Sequence, residues 1–233
     1  MMRSRSARIR GAAAVLLLAG AVGVAPAADS STEWTLKSAF KQIDRATKNV
    51  RFVTADVEWV ESFEQVDHPG SGKVWVDLLG RFRGEVAGDD PRTVLIVTPA
   101  VHLYRPQQKK VEIYDTILDR DIVLKYILLG FQPRGSDLKR SYDVELVRED
   151  ELATGNALLF TLTPKLLKKA APTISGIMLW IDEASWLPAQ LIIRREGGQE
   201  IKVRYGAMTE QQELPADTFH ADWPADTAII TER

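Results

Sequence analysis

The side chains with the widest catalytic and metal-binding use in this chain are three histidines, His68, His102 and His220. They are far apart in sequence, and no pair has the spacing of a zinc motif such as His-x-x-x-His. Acidic pairs occur at Asp89-Asp90 and Glu149-Asp150, within turn-forming segments where carboxylates are normally solvated. The chain has neither a Gly-x-Ser-x-Gly nucleophile motif nor a cysteine. These patterns predict a protein that is not an enzyme and that uses no metal or cofactor.

Gly70-Ser71-Gly72-Lys73 resembles the end of a phosphate-binding loop. The first glycine of that motif is missing, and Val74 stands where a serine or threonine would bind magnesium. A strand pattern follows, whereas the motif leads into a helix. We therefore interpret this segment as a hairpin turn.

A basic cluster follows a predicted strand in the second half of the chain, at Lys165, Lys168 and Lys169. Its ordinary interpretation is a solvated loop. The alternative is a docking patch for a partner protein or for lipid headgroups, to which Arg81 and Arg83 are the other candidate contributors.

Residues 1–27 have the pattern of a cleaved export signal. Arginines precede an uninterrupted small and apolar run, and Ala25-Pro26-Ala27 places small residues where a signal peptidase cuts. The run has about 14 residues, fewer than the roughly 20 that a membrane-spanning helix needs. The sequence thus predicts export to the periplasm and one mature domain over residues 28–233, with an uncleaved membrane anchor as the alternative.

The predicted mature domain is acidic. The whole chain has 30 Lys+Arg and 32 Asp+Glu, and the export signal contains arginines but no acidic residue. Its removal changes the formal net charge from −2 to about −6. Such a surface argues against nucleic acid as a partner and against unaided adhesion to anionic membranes. A length of about 205 residues is sufficient for one hydrophobic core without disulfides.

An amphipathic helix is predicted over residues 34–50, where Leu36, Phe40 and Ile43 recur at spacings of three and four. After residue 50 the apolar period changes to two, which indicates β-strands. Turn signals at residues 69–70, 149–155 and 197–198 punctuate them, so neighbouring strands are expected to be antiparallel. The predicted strands cover residues 53–59, 73–78, 81–86, 93–97, 101–104, 110–114, 142–148, 157–164, 176–181, 187–196 and 199–207.

A very apolar insertion at residues 119–131 interrupts the strands. Asp119 or Asp121 can begin a helix there, and Gly130 can end it. A second short helix is predicted at residues 136–141. One broad apolar face of this helix is predicted to consist of Val123, Leu124, Ile127, Leu128 and Phe131.

Together these elements predict an α+β fold, in which a strongly curved antiparallel sheet, or incomplete open barrel, is accompanied by short apolar helices. The helices and the sheet must bury their apolar faces against each other. If they meet fully, they form an ordinary core. If the helices cover the mouth of a curled sheet as a lid, they leave a hydrophobic cavity. The pattern alone leaves both arrangements open.

Several short motifs, in their order along the chain, resemble the periplasmic carriers of outer-membrane lipoproteins, the LolA-like family. Each motif is individually short, and their shared order over almost the whole mature chain carries the resemblance. The motifs are Gly72-Lys73-Val74-Trp75-Val76, Arg81-Phe82-Arg83, Tyr104-Arg105-Pro106, Leu162-Thr163-Pro164-Lys165, Leu179-Trp180-Ile181-Asp182, Leu187-Pro188 and Phe219 followed by Pro224.

The resemblance implies a monomeric carrier whose cavity takes the acyl chains of lipoproteins or other lipids. Its partners would be an ATP-driven extractor in the inner membrane and an acceptor at the outer membrane. The implied cavity lining is Val74, Val76, Leu78, Phe82 and Leu103. The implied lid residues are Leu36, Phe40, Ile43, Ile122, Leu124, Ile127, Leu128 and Phe131.

One position departs from the family pattern. The family commonly has Arg-Pro after the glycine-tryptophan strand, and that arginine holds the lid and acts in transfer. This chain has Leu78-Leu79 there, so the role has no counterpart at that position. The identity of the cargo and the control of release therefore stay open. Two other functions are retained as alternatives: a periplasmic sensor or regulatory module with the same fold, and a hydrolase whose acidic site assembles in space.

Overall fold

A computed structural model describes residues 33–115, 123–131, 135–165 and 174–231 of the chain. The predicted export signal, Ile122, Lys168 and Lys169 lie outside these ranges. Of Leu124, only the backbone is described. The described residues from Trp34 onward belong to one compact unit.

The first described element is helix α1, Leu36–Ala46, which continues as a 3₁₀ turn at Thr47–Asn49. Thr35 begins the helix with a capping box, because its side chain accepts a hydrogen bond from the Ser38 amide while the Ser38 hydroxyl accepts one from the Thr35 amide. α1 lies within the predicted helical segment 34–50.

Two more short helices precede the second half of the sheet. They are a 3₁₀ helix, Val123–Leu128, and helix α2, Gly135–Ser141. The described part of the predicted helix at 119–131 is therefore wound more tightly than an α-helix, and i to i+3 bonds such as Leu129 N to Tyr126 O (2.9 Å) continue beyond it. Gly130 follows with φ +87°, a left-handed conformation that favours glycine.

Thirteen strands are found among the described residues. They are β1 Phe52–Phe63, β2 Val66–Asp77, β3 Arg81–Gly88, β4 Arg92–Val97, β5 Ala100–Arg105, β6 Lys110–Asp115, β7 Tyr142–Leu152, β8 Gly155–Pro164, β9 Ile174–Asp182, β10 Pro188–Arg195, β11 Glu200–Tyr205, β12 Thr209–Gln211 and β13 Ala228–Thr231.

The strands form a single sheet in the order β13-β6-β5-β4-β3-β2-β1-β11-β10-β9-β8-β7, with β12 added to the end of β1. Within the described residues, the edge strands β13 and β7 do not pair with each other, so the curved sheet stays open. The predicted fold class, an α+β open barrel, is confirmed.

The two faces of the sheet differ in what covers them. The inner face is packed against α1 and the Val123–Leu128 helix in one large hydrophobic core. Along β1, inner and outer residues alternate, as a pleated strand requires. The buried inner residues of β1 are Val53, Ala55, Val57 and Trp59.

The interpretation of Gly70-Ser71-Gly72-Lys73 as a hairpin turn is wrong. These residues lie inside β2, where they pair with β1 on one side and β3 on the other. The turn is at Glu64-Gln65, with φ +50° and +68°. The glycine at position 72 instead allows β2 to lie close to β3. A Cβ on Gly72 would lie 1.7 Å from the carbonyl oxygen of Glu85 in β3.

Two further features differ from what the sequence predicted. Glu149 to Leu152 continue strand β7, so the turn predicted at 149–155 is confined to Ala153-Thr154. Strand β13 was not predicted, and unlike the strands joined by turns it pairs in parallel, with β6. These two strands are far apart in sequence, so no short turn dictates their relative direction.

None of the described helices combines the length and the hydrophobicity that crossing a bilayer requires. Among the residues that the structure describes, no three His, Asp or Glu side chains come together in a metal-binding arrangement. His68 and His220 are exposed, and His102 lies on the outer face of β5.

Candidate functional site

The side chains implied to line a lipid cavity all lie on the inner face of the sheet. Their exposed fractions run from 0% for Val76 and Phe82 to 7% for Leu103. β2 and β3 pair so that Val76 is opposite Phe82, which places both side chains over the same part of the inner face. The full set, Val74, Val76, Leu78, Phe82 and Leu103, belongs to the one core that also contains the helices.

The helices cover this face with the residues implied to form a lid. Phe40 and Ile43 of α1 are 6% and 3% exposed, and Leu36 packs at the edge of the same core. From the other helix, Ile127 is fully buried and Leu128 is partly buried. These predicted lid residues therefore belong to the same hydrophobic core as the predicted cavity residues in the described state.

Phe131 fastens the Val123–Leu128 helix to the sheet. Its ring meets the ring of Tyr205 edge to face, with centroids 5.4 Å apart. The Tyr205 hydroxyl donates a hydrogen bond to the Ile127 carbonyl at 3.5 Å. Burial raises the pKa of Tyr205 well above its ordinary value, so this phenol stays protonated and remains a donor.

A close contact also holds the end of this segment. A Cβ on Gly130 would lie 2.6 Å from Cγ of Pro188 and 3.2 Å from Cδ1 of Leu179. Glycine is thus required here both for its positive φ and for its small size. The chain approaches β9 and β10 as closely as backbone allows.

α1 is linked to α2 and to the sheet. The Gly135 amide donates a hydrogen bond to the Asp44 carboxylate at 2.6 Å. The Phe40 ring stacks against Phe160 of β8 at 6.2 Å. Its buried residues Ala39, Phe40 and Ile43 belong to the inner core, so apolar contact contributes to its position.

The inner face ends in a charged cluster at the end nearest the β1–β2 turn. Arg92 is 7% exposed, and its guanidinium contacts Glu61 at 2.5 Å and Asp90 at 3.2 Å. Arg105 pairs with Glu112 and lies 3.8 Å from Asp90.

This cluster borders a small cavity and an unpartnered indole. Gln199 donates a hydrogen bond to Glu61 at 2.8 Å and lines a cavity of about 370 Å³ together with Phe63 and the two arginines. Next to it, Nε1 of the buried Trp59 has no hydrogen-bond partner in the described structure. The Arg92 guanidinium lies 5.8 Å from the Trp59 ring centroid. One end of the apolar face is therefore polar and charged.

Sequence reasoning missed these residues, although strand parity contains the signal. In β4, Arg92 lies on the same side of the strand as Val94 and Ile96. In β5, Arg105 lies on the same side as Leu103. Both arginines were therefore on the inner face of their strands. Charged residues at strand ends are usually solvated, which conceals the signal.

The predicted docking arginines lie on the outer face and contact the C-terminal segment. Arg81 forms a two-point ion pair with the buried Asp77, at 2.6 and 3.0 Å, and covers the Phe219 ring at 4.6 Å. Arg83 pairs with Glu85 at 2.7 Å and donates to the Thr218 carbonyl at 3.3 Å. Neither guanidinium reaches the helices on the inner face.

Lys165 lies near the end of β8, 3.7 Å from Asp143, and donates to the carbonyl of Lys139. Its proposed companions Lys168 and Lys169 are outside the described residues. Leu78 and Leu79, which replace the family's Arg-Pro, differ in environment. Leu78 is 3% exposed in the core, whereas Leu79 is 73% exposed at the β2–β3 turn.

Comparison with known proteins adds evidence on the fold. No protein-family model and no curated protein matches this chain. A solved structure of an uncharacterised conserved protein from Thermus thermophilus matches with a TM-score of 0.53 and 13% identity, over 84% of this chain and 98% of that one. This match shows a shared fold.

Two further solved structures are similar at lower TM-scores. An outer-membrane lipoprotein-sorting protein domain from Vibrio parahaemolyticus matches with a TM-score of 0.46 and 11% identity, over 80% of this chain and 97% of that one. A LolA superfamily protein from Nitrosomonas europaea matches with a TM-score of 0.42 and 11% identity, over the same shares.

The chain has a LolA-like fold. The curved, unclosed antiparallel sheet with short helices on its inner face is the observation that establishes it. The resemblance drawn from the sequence motifs is thereby confirmed at the level of the fold. At identities of 11% to 13%, the similarity to these solved structures shows the fold alone.

Proposed function

We propose that this protein is a periplasmic carrier that shelters the acyl chains of lipoproteins or other lipids between the sheet and its helices. One observation carries the proposal. Most of the inner face is apolar and buried, with a charged cluster at one end, and short helices cover it instead of a second sheet or a closed barrel. Helices of this length are removable covers, since they lose few hydrogen bonds when they shift.

The energetics suit exchange between helix and lipid. In the described state, Phe40, Ile127 and Phe131 occupy the position that an acyl chain would take. A sheltered chain gains about 0.8 kcal/mol per buried CH₂, which offsets the helix contacts that it displaces. Ligand entry and lid displacement are then one equilibrium, and release requires an acceptor with a better apolar site.

The remaining parts of the proposal concern partners. Uphill removal of lipid from a membrane needs an energy source, which an ATP-driven inner-membrane extractor would supply. An outer-membrane acceptor would receive the cargo, and the protein would act as a monomer. Leu78 occupies the core where the family has its latching arginine, so control of release would depend on the apolar helix contacts.

Lipid capture by the protein and a lid variant tests this proposal. Leu128 is the suitable position because it is only partly buried, whereas a charge at Phe131, which is 2% exposed, would endanger folding. Leu79→Glu is the matched control, because Leu79 is 73% exposed and does not belong to the inner core. The readouts are native mass spectrometry of gently purified protein and the affinity for a fluorescent fatty acid.

We expect bound lipid in the parent protein and in Leu79→Glu, and at least tenfold weaker fatty-acid binding in Leu128→Glu with unchanged circular dichroism. Equal binding by both variants would remove the lid assignment. A lipid-free protein that retains a protein partner would support the sensor, and turnover of an ester or glycoside panel would support the hydrolase.

A further inference from the structure

Two tryptophans join the start of α1 to the turn between β9 and β10. The rings of Trp34 and Trp186 meet edge to face, with centroids 4.9 Å apart. The Trp34 indole also donates a hydrogen bond from Nε1 to the Glu183 carboxylate at 3.2 Å. We name these three residues the tryptophan clamp. It lies at the N-terminal end of α1, whereas the C-terminal end of the helix continues through residues 47–51 into β1.

The backbone of Trp186 is strained. Its φ of +58° is a left-handed conformation that bulky residues rarely adopt. The other non-glycine residues with positive φ in the described ranges are polar, namely Glu64, Gln65 and Lys109. Glycine would form the same turn without this conformational cost. The turn itself therefore does not require an indole at this position, whereas the contact with Trp34 does.

Hydrogen bonds within the turn hold Trp186 in this conformation. Its amide donates to the Asp182 carbonyl at 2.8 Å. The Asp182 carboxylate accepts hydrogen bonds from the amide and the hydroxyl of Ser185, both at 2.7 Å. The Asp182 amide donates to the Leu187 carbonyl at 3.0 Å. Strain that its surroundings hold in place in this way is typical of functional positions.

The contacts of the tryptophan clamp are suited to reversible opening. Both indoles lie at the edge of the inner core and are partly exposed, as is Glu183. When the clamp opens, the indole N–H and the carboxylate exchange their hydrogen bond for bonds to water, so no polar group is left buried without a partner. Phe40 and Ile43, farther along α1, are buried against the sheet and lose their contacts only when the helix moves.

We infer that the tryptophan clamp latches α1 over the inner face and that its opening controls the entry of lipid. This inference rests on the proposed function, because it concerns the same lipid-binding face. In the closed state the clamp holds the N-terminal end of α1 against the sheet. With the clamp open, α1 pivots about residues 47–51 and uncovers the apolar face beneath Phe40 and Ile43.

This control has a definite direction. A lipid that binds only the open state has an apparent affinity equal to its intrinsic affinity multiplied by the open fraction. A weaker clamp raises the open fraction, so it tightens lipid binding. The effect is opposite to the weaker binding expected for Leu128→Glu, which damages the apolar face itself.

Thiol labelling measures the opening of α1 without lipid, because the chain contains no cysteine of its own. Ala39→Cys places one thiol on the buried side of α1, where Ala39 is 0% exposed. Ala157→Cys, at a position 1% exposed in a cluster outside the inner core, reports loosening of the whole fold. The rate of reaction with N-ethylmaleimide is followed by mass spectrometry.

Two variants break the clamp, Trp34→Ala and Trp186→Gly, and the second also relieves the left-handed strain. Trp75→Ala is the matched control, because Trp75 is also partly exposed but lies on the outer face of β2. We expect about tenfold faster labelling of Ala39→Cys in both clamp variants and unchanged labelling of Ala157→Cys. The double clamp variant should show no further increase, because either replacement removes the same contact.

The affinity for a fluorescent fatty acid completes the test. We expect about threefold to tenfold tighter binding in the clamp variants and binding equal to that of the parent in Trp75→Ala. Unchanged labelling of Ala39→Cys, equal acceleration at both cysteines, or weaker fatty-acid binding in the clamp variants would each overturn the inference. A parent protein that binds no fatty acid would contradict the proposed function and the role of the clamp in lipid entry, whereas the labelling rates would still test whether the clamp holds α1.

Discussion

His102 lies beneath the C-terminal segment, where its ring centroid is 6.0 Å from that of Trp223. Its Nδ1 is buried and has no hydrogen-bond partner in the described structure. Burial lowers the pKa of His102 below its ordinary value, because the imidazolium would lose hydration. The His102 side chain is therefore neutral at neutral pH in the folded protein, and it packs against the Trp223 ring.

This burial predicts a pH dependence of stability. The unfolded chain binds a proton on His102 at a higher pH than the folded chain does, so the free energy of unfolding falls as the pH drops through 6.5 toward the folded pKa. The replacement His102→Gln should remove this component. Urea denaturation at pH 8 and pH 5.5 measures it, with exposed His220→Gln as the control. An identical decrease in His102→Gln would contradict the prediction.

Single charged residues were the least predictable part of the candidate site. The inner position of Arg92 follows from strand parity, but its burial also depends on Glu61, which is 31 residues away in the sequence. Trp34 and Glu183 likewise meet although they are 149 residues apart in the sequence. Periodicity carries no information on such encounters.

At the level of elements, β2 and β3 are joined so closely that glycine is required in β2. A Cβ on Gly72 would overlap the Glu85 carbonyl at 1.7 Å, and backbone cannot move aside as a flexible side chain can. Glycine in a strand normally weakens it, and here the close pairing compensates.

Gly72→Ala should therefore lower the free energy of unfolding by about 2 to 3 kcal/mol. Gly176→Ala is the matched control, because Gly176 is also in a strand and nothing lies within 4 Å of its added Cβ. The control should be neutral or slightly stabilising. Guanidinium denaturation of both variants checks this, and a loss of equal size in both would refute the role of close approach.

The positions of helices and strands were predicted well where a regular apolar spacing continues over many residues. The strands with alternating residues and the helix at Leu36–Ala46 follow from local pattern and capping. The 3₁₀ character of Val123–Leu128 did not follow from its apolar pattern, which is the same for both kinds of helix.

On the scale of the whole molecule, the C-terminal segment, residues 212–227, packs on the outer face of the sheet, whereas the helices cover the inner face. Trp223 stacks on Tyr104 of β5 at 5.0 Å, and Asp226 pairs with Lys109 at 2.6 Å. The segment then continues into β13, which lengthens the sheet beside β6. Leu95 and Val111 are fully buried although they are absent from the inner core.

Trp223→Ala should loosen this segment and lower the free energy of unfolding by about 2 kcal/mol, since the side chain is only partly buried. Limited proteolysis should then cut within residues 212–227 before the remainder of the chain. Leu79→Ala, at an exposed apolar position, is the control and should resist cleavage as the parent protein does. Unchanged cleavage in Trp223→Ala would show that the segment is held by other contacts.

The sequence by itself determined the strand-rich α+β class, the apolar side of the strands with alternating residues and the apolar character of the covering helices. Those properties follow from nearest neighbours along the chain, through periods of two and of three to four. The tertiary structure alone decided that Gly70-Ser71-Gly72-Lys73 lies within a strand, that β13 runs parallel to β6 and that the sheet stays open. It also decided that the short helices and the inner face of the sheet share one hydrophobic core, because that depends on contacts between residues distant in sequence.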